Sequence, residues 1–133
     1  MCKNIDPTAV IGEGVVIADN VTIHAGTIIG DGVVIADFAV VGRRPKLSPR
    51  STAKKDELPP LIVGPGSYIG SHTVLIAGTT IGERCIIGDN AGVRERCTLG
   101  DDVVIGRGVS VENDTTIGSR TKVQTGSYIT AYV

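Results

Sequence analysis

An aliphatic residue returns at every sixth position along almost the whole chain. Ile5, Ile11, Ile17, Ile23, Ile29, Ile35 and Val41 form one series; Val63, Ile69, Leu75, Ile81, Ile87, Val93, Leu99, Ile105, Val111, Ile117, Val123 and Ile129 form a second. A period of six matches neither the turn of an amphipathic helix (about 3.6 residues) nor the alternation of an ordinary strand, so it marks an internal repeat. Each repeat is a short strand plus a turn, too small to bury its apolar face alone. Stacked repeats supply the core.

Two positions before those residues the chain uses small or branched side chains: Ala9, Val15, Val21, Thr27, Val33 and Ala39, then Ser67, Thr73, Thr79, Cys85, Ala91 and Cys97. In an extended strand residues two apart point the same way. Each strand therefore sends one large and one small group inward, which suits a narrow interior. One Phe, three Tyr and no Trp fit a thin prism with little room for rings.

A glycine follows many of the aliphatic residues, as in Ile29-Gly30, Ile69-Gly70, Ile81-Gly82, Ile87-Gly88, Leu99-Gly100, Ile105-Gly106 and Ile117-Gly118. This pattern resembles the hexapeptide-repeat, left-handed parallel β-helix family, over about residues 5–41 and 61–133. The resemblance implies an all-β fold: a single-stranded, left-handed parallel β-helix, wound against the usual right-handed rule for parallel crossovers. It further implies an acyl-CoA-dependent acyltransferase of the sugar-modifying kind, with acetyl-CoA as co-substrate, no permanently bound cofactor, and assembly as a parallel homotrimer. The motif is specific for fold and much less so for activity.

If three hexads make one triangular coil, equivalent positions recur every eighteen residues. Gly12, Gly30, Gly64, Gly82, Gly100 and Gly118 then form one all-glycine column, provided residues 42–62 interrupt a single turn. The register assigns Ile5, Ile23, Val41, Leu75, Val93, Val111 and Ile129 to a first face, with the second starting at Ile11 and the third at Ile17. The expected architecture is about six triangular coils, a rod of roughly 30 Å at a strand spacing of about 4.8 Å. The insertion leaves at the corner between the first and second faces.

At 133 residues the chain is one domain, 1–133, interrupted by the loop at 42–62. No long apolar run points to a membrane, and nothing resembles a secretory leader. Cys85 and Cys97 occupy small inward slots on different faces and read as core filler, so no metal site and a cytoplasmic setting are expected. The chain stops at Tyr132-Val133, one step after an intact hexad. An uncapped end fits two readings: an acyltransferase truncated at its C-terminus, or a short protein whose end a partner covers.

The net charge of −1 conceals an asymmetry. The insertion holds Arg43, Arg44, Lys46, Arg50, Lys54 and Lys55 against Asp56 and Glu57, a net +4, together with Pro45, Pro49, Pro59 and Pro60. A long irregular loop of this kind is a solvated flap or a functional segment. In the second case it reaches over a neighbouring subunit and grips an anion, such as the phosphates of coenzyme A or a nucleotide-sugar, through Arg43, Arg44, Lys46 and Arg50. The acidic body and the absence of an aromatic stacking set argue against nucleic acid.

The third face shows Val16, Val34, Tyr68, Ile86 and Val104 outward beside small neighbours, an apolar stripe that marks it as the homotrimer contact. Polar groups gather on the first face, with His24, Arg94, Glu112 and Thr130. His72, at the corner between the third and first faces, shares a column with Asn20, Phe38, Asn90, Gly108 and Gly126. That composition suggests a left-handed backbone. His72 is then either a turn residue or a general base, with Asn90 one coil along to orient it. His24 reads as a surface residue. The run Arg94-Glu95-Arg96 is a solvated ion cluster or a substrate anchor. Asn113, Gln124, Thr125 and Tyr128 are polar or aromatic where glycine or an aliphatic residue would satisfy the fold; Gln124 and Tyr128, with Glu112, are further candidate binding residues.

The functional reading is transfer of an acyl group, expected to be acetyl, to an amino or hydroxyl group of a sugar or nucleotide-sugar. A non-catalytic β-helix scaffold is the alternative. A carbonic anhydrase on the same fold needs three zinc-binding histidines, and the chain has two.

Overall fold

The computed structural model describes residues 3–52 and 57–133. Among them are nineteen short strands, nearly all two residues long, which stack into three parallel sheets of seven, six and six strands. Residue i pairs with residue i+18 throughout the uninterrupted coils, as in Ile5 with Ile23, Ile87 with Ile105 and Val111 with Ile129. Across the insertion the offset is thirty-four, Ile29 pairing with Val63 and Val41 with Leu75 at the distances eighteen plus one sixteen-residue excursion demand. The fold is an all-β, left-handed parallel β-helix, as the resemblance to the hexapeptide-repeat family implies.

The interior is one column of apolar side chains. Ile23, Ile29, Ile35, Ile69, Leu75, Ile81, Ile87, Leu99 and Ile105 are fully buried, and burying each such side chain contributes roughly 1.5–3 kcal/mol. The small slot does more than save space. Ser67 Oγ donates to Gly82 O (3.0 Å), Thr73 Oγ1 to Gly88 O (2.7 Å) and Thr115 Oγ1 to Thr130 O (3.1 Å). Cys85 Sγ and Cys97 Sγ take the same place toward Gly100 O (3.1 Å) and Glu112 O (3.0 Å). These five slots thus satisfy corner carbonyls one coil on, which explains why Ser, Thr and Cys are tolerated in so thin a core, whereas the buried Thr27 Oγ1 finds no partner among the described residues. Both thiols are free and buried.

The corners explain the glycines. A Cβ at Gly82 would lie 2.5–2.7 Å from Asp101 Oδ1 and from the backbone of Gly100 in the next coil, so no side chain fits there. The residue three before each buried aliphatic turns the chain in the left-handed region. Asn20, Phe38, His72 and Asn90 sit there with φ between 57° and 63°, and Gly108 and Gly126 with φ of 67° and 77°. His72 is therefore a turn residue by conformation, as its column predicts.

The insertion is shorter than its sequence suggests. Gly42 and Arg43 continue the strand Val40–Arg43, and Arg43 pairs with Ile76. Leu61 is fully buried in a small-slot position, and Ile62–Val63 is already a strand. Leu58, also buried, packs over Gly78 at the corner of the first and second faces and pins the returning arm. The charges at Lys54, Lys55 and Asp56 lie outside the described residues.

Candidate functional site

The outward side of the first face carries two columns. One runs Val40, Val74, Gly92, Ser110 and Tyr128; the other runs His24, Arg43, Ile76, Arg94 and Glu112, the strand bulging at Gly42 so that Arg43 pairs with Ile76. Where the insertion leaves the rod, two adjoining clefts share Arg43, Ile76 and Arg94. The first, about 170 Å³, runs along the face past Gly92, Ser110 and Glu112. The second, about 320 Å³, lies under the loop and is lined also by Pro45, Lys46, Leu47, Ser48, Ser51 and Glu95. This segment of the loop thus lies over the first face of its own subunit, instead of reaching only outward to a neighbour.

A buried charge cluster forms the wall between the clefts. Glu95 is fully buried at the inward corner position after Val93. Its carboxylate accepts from Arg94 Nε (3.2 Å) and Nη2 (3.1 Å), and lies 3.8 Å from Arg96 Nη2. Arg94 Nη1 also donates to Glu112 (3.2 Å), and Arg96 Nε to Asp114 (3.0 Å), whose other oxygen accepts from the amide of buried Asn113 (2.8 Å). The solvated cluster expected from the sequence is overturned for Glu95: the corner turns its side chain inward, where only the two guanidinium groups replace water. Burial is the largest influence on Arg94 and opposes its charge. Hydrogen bonds and attraction from Glu95 and Glu112 outweigh it and hold the pKa above the usual guanidinium value. An arginine engaged by two carboxylates has little charge to offer an anion. Arg43 and Lys46 differ, because no carboxylate pairs with either among the described residues.

The other predicted residues scatter. Arg44 turns back and donates to the Leu58 carbonyl, where it clamps the loop. The amide of Arg50 donates to Ser48 Oγ (3.2 Å), and Arg50 lines neither cleft. Tyr128 is exposed on the last strand of the first face, beside Ser110 and just beyond the cleft. Gln124 is exposed on the third face and joins neither group. At the corner between the third and first faces the His72 ring stacks on Phe38, with centroids 5.1 Å apart and planes 7° from parallel. No hydrogen bond links His72 to Asn90. Asn90 instead opens a further cleft of about 520 Å³ with Asp89, Arg107, Gly108, Thr125 and Gly126, which runs away from His72. His24 lies near the N-terminal end, in a shallow hollow with Asp6 and Thr22.

On the third face Val16, Val34, Tyr68 and Ile86 stand exposed in adjacent strands, with Val104 half-buried beside them. The apolar stripe read from the sequence is present. Among the described residues no group of three His, Cys, Asp or Glu is placed to hold a metal ion, and no helix is long and apolar enough to cross a membrane. Sequence reasoning missed Gly92, Ile76 and Ser110 as cleft residues. Their signal was available: Gly92 is the one glycine in the strand column that Val74 and Ser110 flank.

Comparison with known proteins adds a family and a set of similar structures. The pattern of the bacterial transferase hexapeptide family (six repeats) matches residues 8–43, 60–95 and 96–131, and that of the hexapeptide repeat of succinyl-transferase matches residues 78–113. Among curated proteins none matches the chain by sequence. Solved structures that resemble it include PerB from Caulobacter crescentus in complex with CoA and GDP-perosamine (25% identity, TM-score 0.75, 92% of this chain and 50% of that one). The acetyltransferase domain of PglB from Neisseria gonorrhoeae in complex with acetyl coenzyme A is similar at 24% identity and a TM-score of 0.77, over 94% and 52% of the two chains. UDP-N-acetylglucosamine acyltransferase from Campylobacter jejuni shares the fold at 19% identity and a TM-score of 0.57, over 98% and 66%. The chain spans about half the length of the first two.

Proposed function

The chain belongs to the bacterial transferase hexapeptide family, and on that footing we propose that it is an acyl-CoA-dependent acyltransferase, using acetyl-CoA to modify an amino or hydroxyl group of a sugar or nucleotide-sugar. The observation that carries this reading is the pair of adjoining clefts beside the insertion, where Arg43 and Lys46 face open space without carboxylate partners. Every ligand of such a reaction that carries a diphosphate needs such cations. PerB, with CoA and GDP-perosamine bound, supports the same class of chemistry.

In the reaction the acceptor nitrogen or oxygen attacks the thioester carbonyl. A carbon–nitrogen or carbon–oxygen bond forms, the carbon–sulfur bond breaks, and the coenzyme leaves as its thiolate while the acceptor proton passes to a base or to water. The chain's task is to hold the two reactants in line and to exclude competing water. His72 is the base candidate at its corner: its ring is exposed, and Phe38 fixes its orientation. An amine acceptor that binds unprotonated needs no dedicated base, so the proposal does not stand or fall on His72.

The working unit in this reading is a homotrimer packed through Val16, Val34, Tyr68, Ile86 and Val104. That arrangement would set the His72 corner of one subunit beside a neighbour. The setting is cytoplasmic, in keeping with two buried, reduced thiols. Two measurements test the proposal. Incubation with acetyl-CoA and a panel of amino-sugar nucleotides, followed by release of free coenzyme thiol, is expected to show turnover with at least one acceptor. Sedimentation equilibrium is expected to give three times the monomer mass, reduced to the monomer by Ile86→Lys. A folded trimer that neither binds acetyl-CoA nor releases thiol with any acceptor would leave the scaffold reading in its place.

A further inference from the structure

The cleft along the first face has a floor as well as walls. Its floor is Gly92, where a Cβ would meet no atom within 4 Å. Gly92 has no positive φ, so backbone strain does not require glycine there. Nor does close packing, unlike the crowded corner glycines such as Gly82. What the missing side chain leaves is open surface between Val74 and Ser110.

Arg94 stands beside that floor with most of its rim engaged. Its Nε and Nη2 donate to Glu95 and its Nη1 to Glu112, three of the five N–H donors, and guanidinium N–H bonds lie in the plane of the group. The carboxylates therefore fix that plane, which leaves the flat of the guanidinium and its aliphatic stem beside the cleft. Ile76 adds an aliphatic edge. A bare peptide floor beside a planar cation held rigidly by its rim suits a flat aromatic ring, through stacking and cation–π attraction. At the loop end, Arg43 and Lys46 suit phosphate oxygens.

We propose that this cleft is a nucleoside-diphosphate site, in which the base lies over Gly92 against the face of Arg94 and the diphosphate meets Arg43 and Lys46. The ligand's source rests on the acyltransferase reading, since both coenzyme A and a nucleotide-sugar carry this chemistry. Its location and its recognition of the base rest on Gly92 and Arg94. Glu95 is then a positioning residue, which holds Arg94 flat without touching the ligand.

The test is calorimetric titration of the full chain with UDP, GDP, dTDP, coenzyme A and inorganic pyrophosphate. It is repeated for Gly92→Val, Gly92→Ala and Arg43→Ala. Valine suits a strand and its Cβ meets no neighbour at this position, so the fold is expected to hold, which far-UV circular dichroism checks. At least one nucleotide is expected to bind about tenfold more tightly than pyrophosphate, the scale of one stacked base. Gly92→Val should remove that advantage and leave pyrophosphate binding unchanged, Gly92→Ala should weaken it part-way, and Arg43→Ala should weaken nucleotide and pyrophosphate alike. Loss confined to coenzyme A would identify the coenzyme as the source, and loss confined to UDP, GDP or dTDP the sugar carrier. Pyrophosphate binding as well as every nucleotide, nucleotide affinity indifferent to Gly92→Val, or no binding at all would each overturn the inference. Gly92-dependent nucleotide binding in a protein that transfers no acyl group would keep this inference and sink the acyltransferase reading; acyl transfer with affinities indifferent to Gly92 would do the reverse.

Discussion

Replacing Glu95 by Gln tests whether the buried charge cluster holds this part of the rod together. The substitution keeps the side chain's shape and removes its charge. In place of two carboxylate oxygens at 3.1–3.2 Å from Arg94, it leaves one acceptor and one amide donor that faces the guanidinium donors. The side chain is fully buried, so water cannot repair the loss. Breaking a buried ion pair from one side costs about 3–5 kcal/mol. Here the lower end, about 3 kcal/mol, is appropriate, because Arg94 keeps Glu112, Arg96 keeps Asp114, and both arginines are partly solvated. With a urea slope of about 2 kcal/mol/M for a domain of this size, the unfolding midpoint should fall by about 1.5 M. Far-UV circular dichroism in urea measures it, with two emission-independent wavelengths to check that the rod unfolds as one unit. A midpoint within about 0.3 M of the parent would refute the reasoning, and would mean that desolvation cancels the whole attraction in this cluster.

Three further outcomes follow from the same structure. His72 has φ 58°, so His72→Gly should leave stability unchanged or raise it, while His72→Ala should lower it by roughly 1 kcal/mol; thermal melts decide, and turnover retained in a folded His72→Gly variant removes the imidazole from the mechanism. Burial pushes the Cys97 thiol up to about 11 from its ordinary 9.0. The folded state therefore holds its proton where the unfolded chain releases it, so stability is fully present below about pH 9 and falls by roughly 2 kcal/mol as pH rises toward 11; Cys97→Ser should flatten that decline in denaturation curves taken from pH 8 to 11. Gly82→Ala places a methyl group 2.5–2.7 Å from the next coil, which must shift backbone; a loss of at least 2 kcal/mol in urea unfolding is expected, against little change for Gly92→Ala, where the space is open.

Much of this architecture was legible in the chain because a six-residue repeat over-determines it. Ile87, for example, is placed by its spacing from Ile69 and Ile105, and the structure pairs it with both. The corner conformation of His72 was readable from Asn and Gly at equivalent positions. The insertion resisted the same reading, since Leu58 carries no period and only its burial shows where the returning arm is pinned to the rod. The candidate site was legible in part. Arg43, Lys46, Arg94 and Glu112 line two adjoining clefts, whereas Arg44, Arg50 and Gln124 look equivalent in sequence but are engaged or directed elsewhere.

The sequence by itself determined the coil, its three faces and the register across the interruption, because side-chain alternation and an eighteen-residue repeat leave one way to stack the strands. It also determined the apolar stripe from Val16 to Val104. Only the tertiary structure decided which charges are spent and which remain available. Glu95 neutralises Arg94 because a corner turns the carboxylate inward, and Glu112 joins them because it lies eighteen residues on and one coil above. Charge partnership depends on distances between coils, and no local pattern in the chain encodes them.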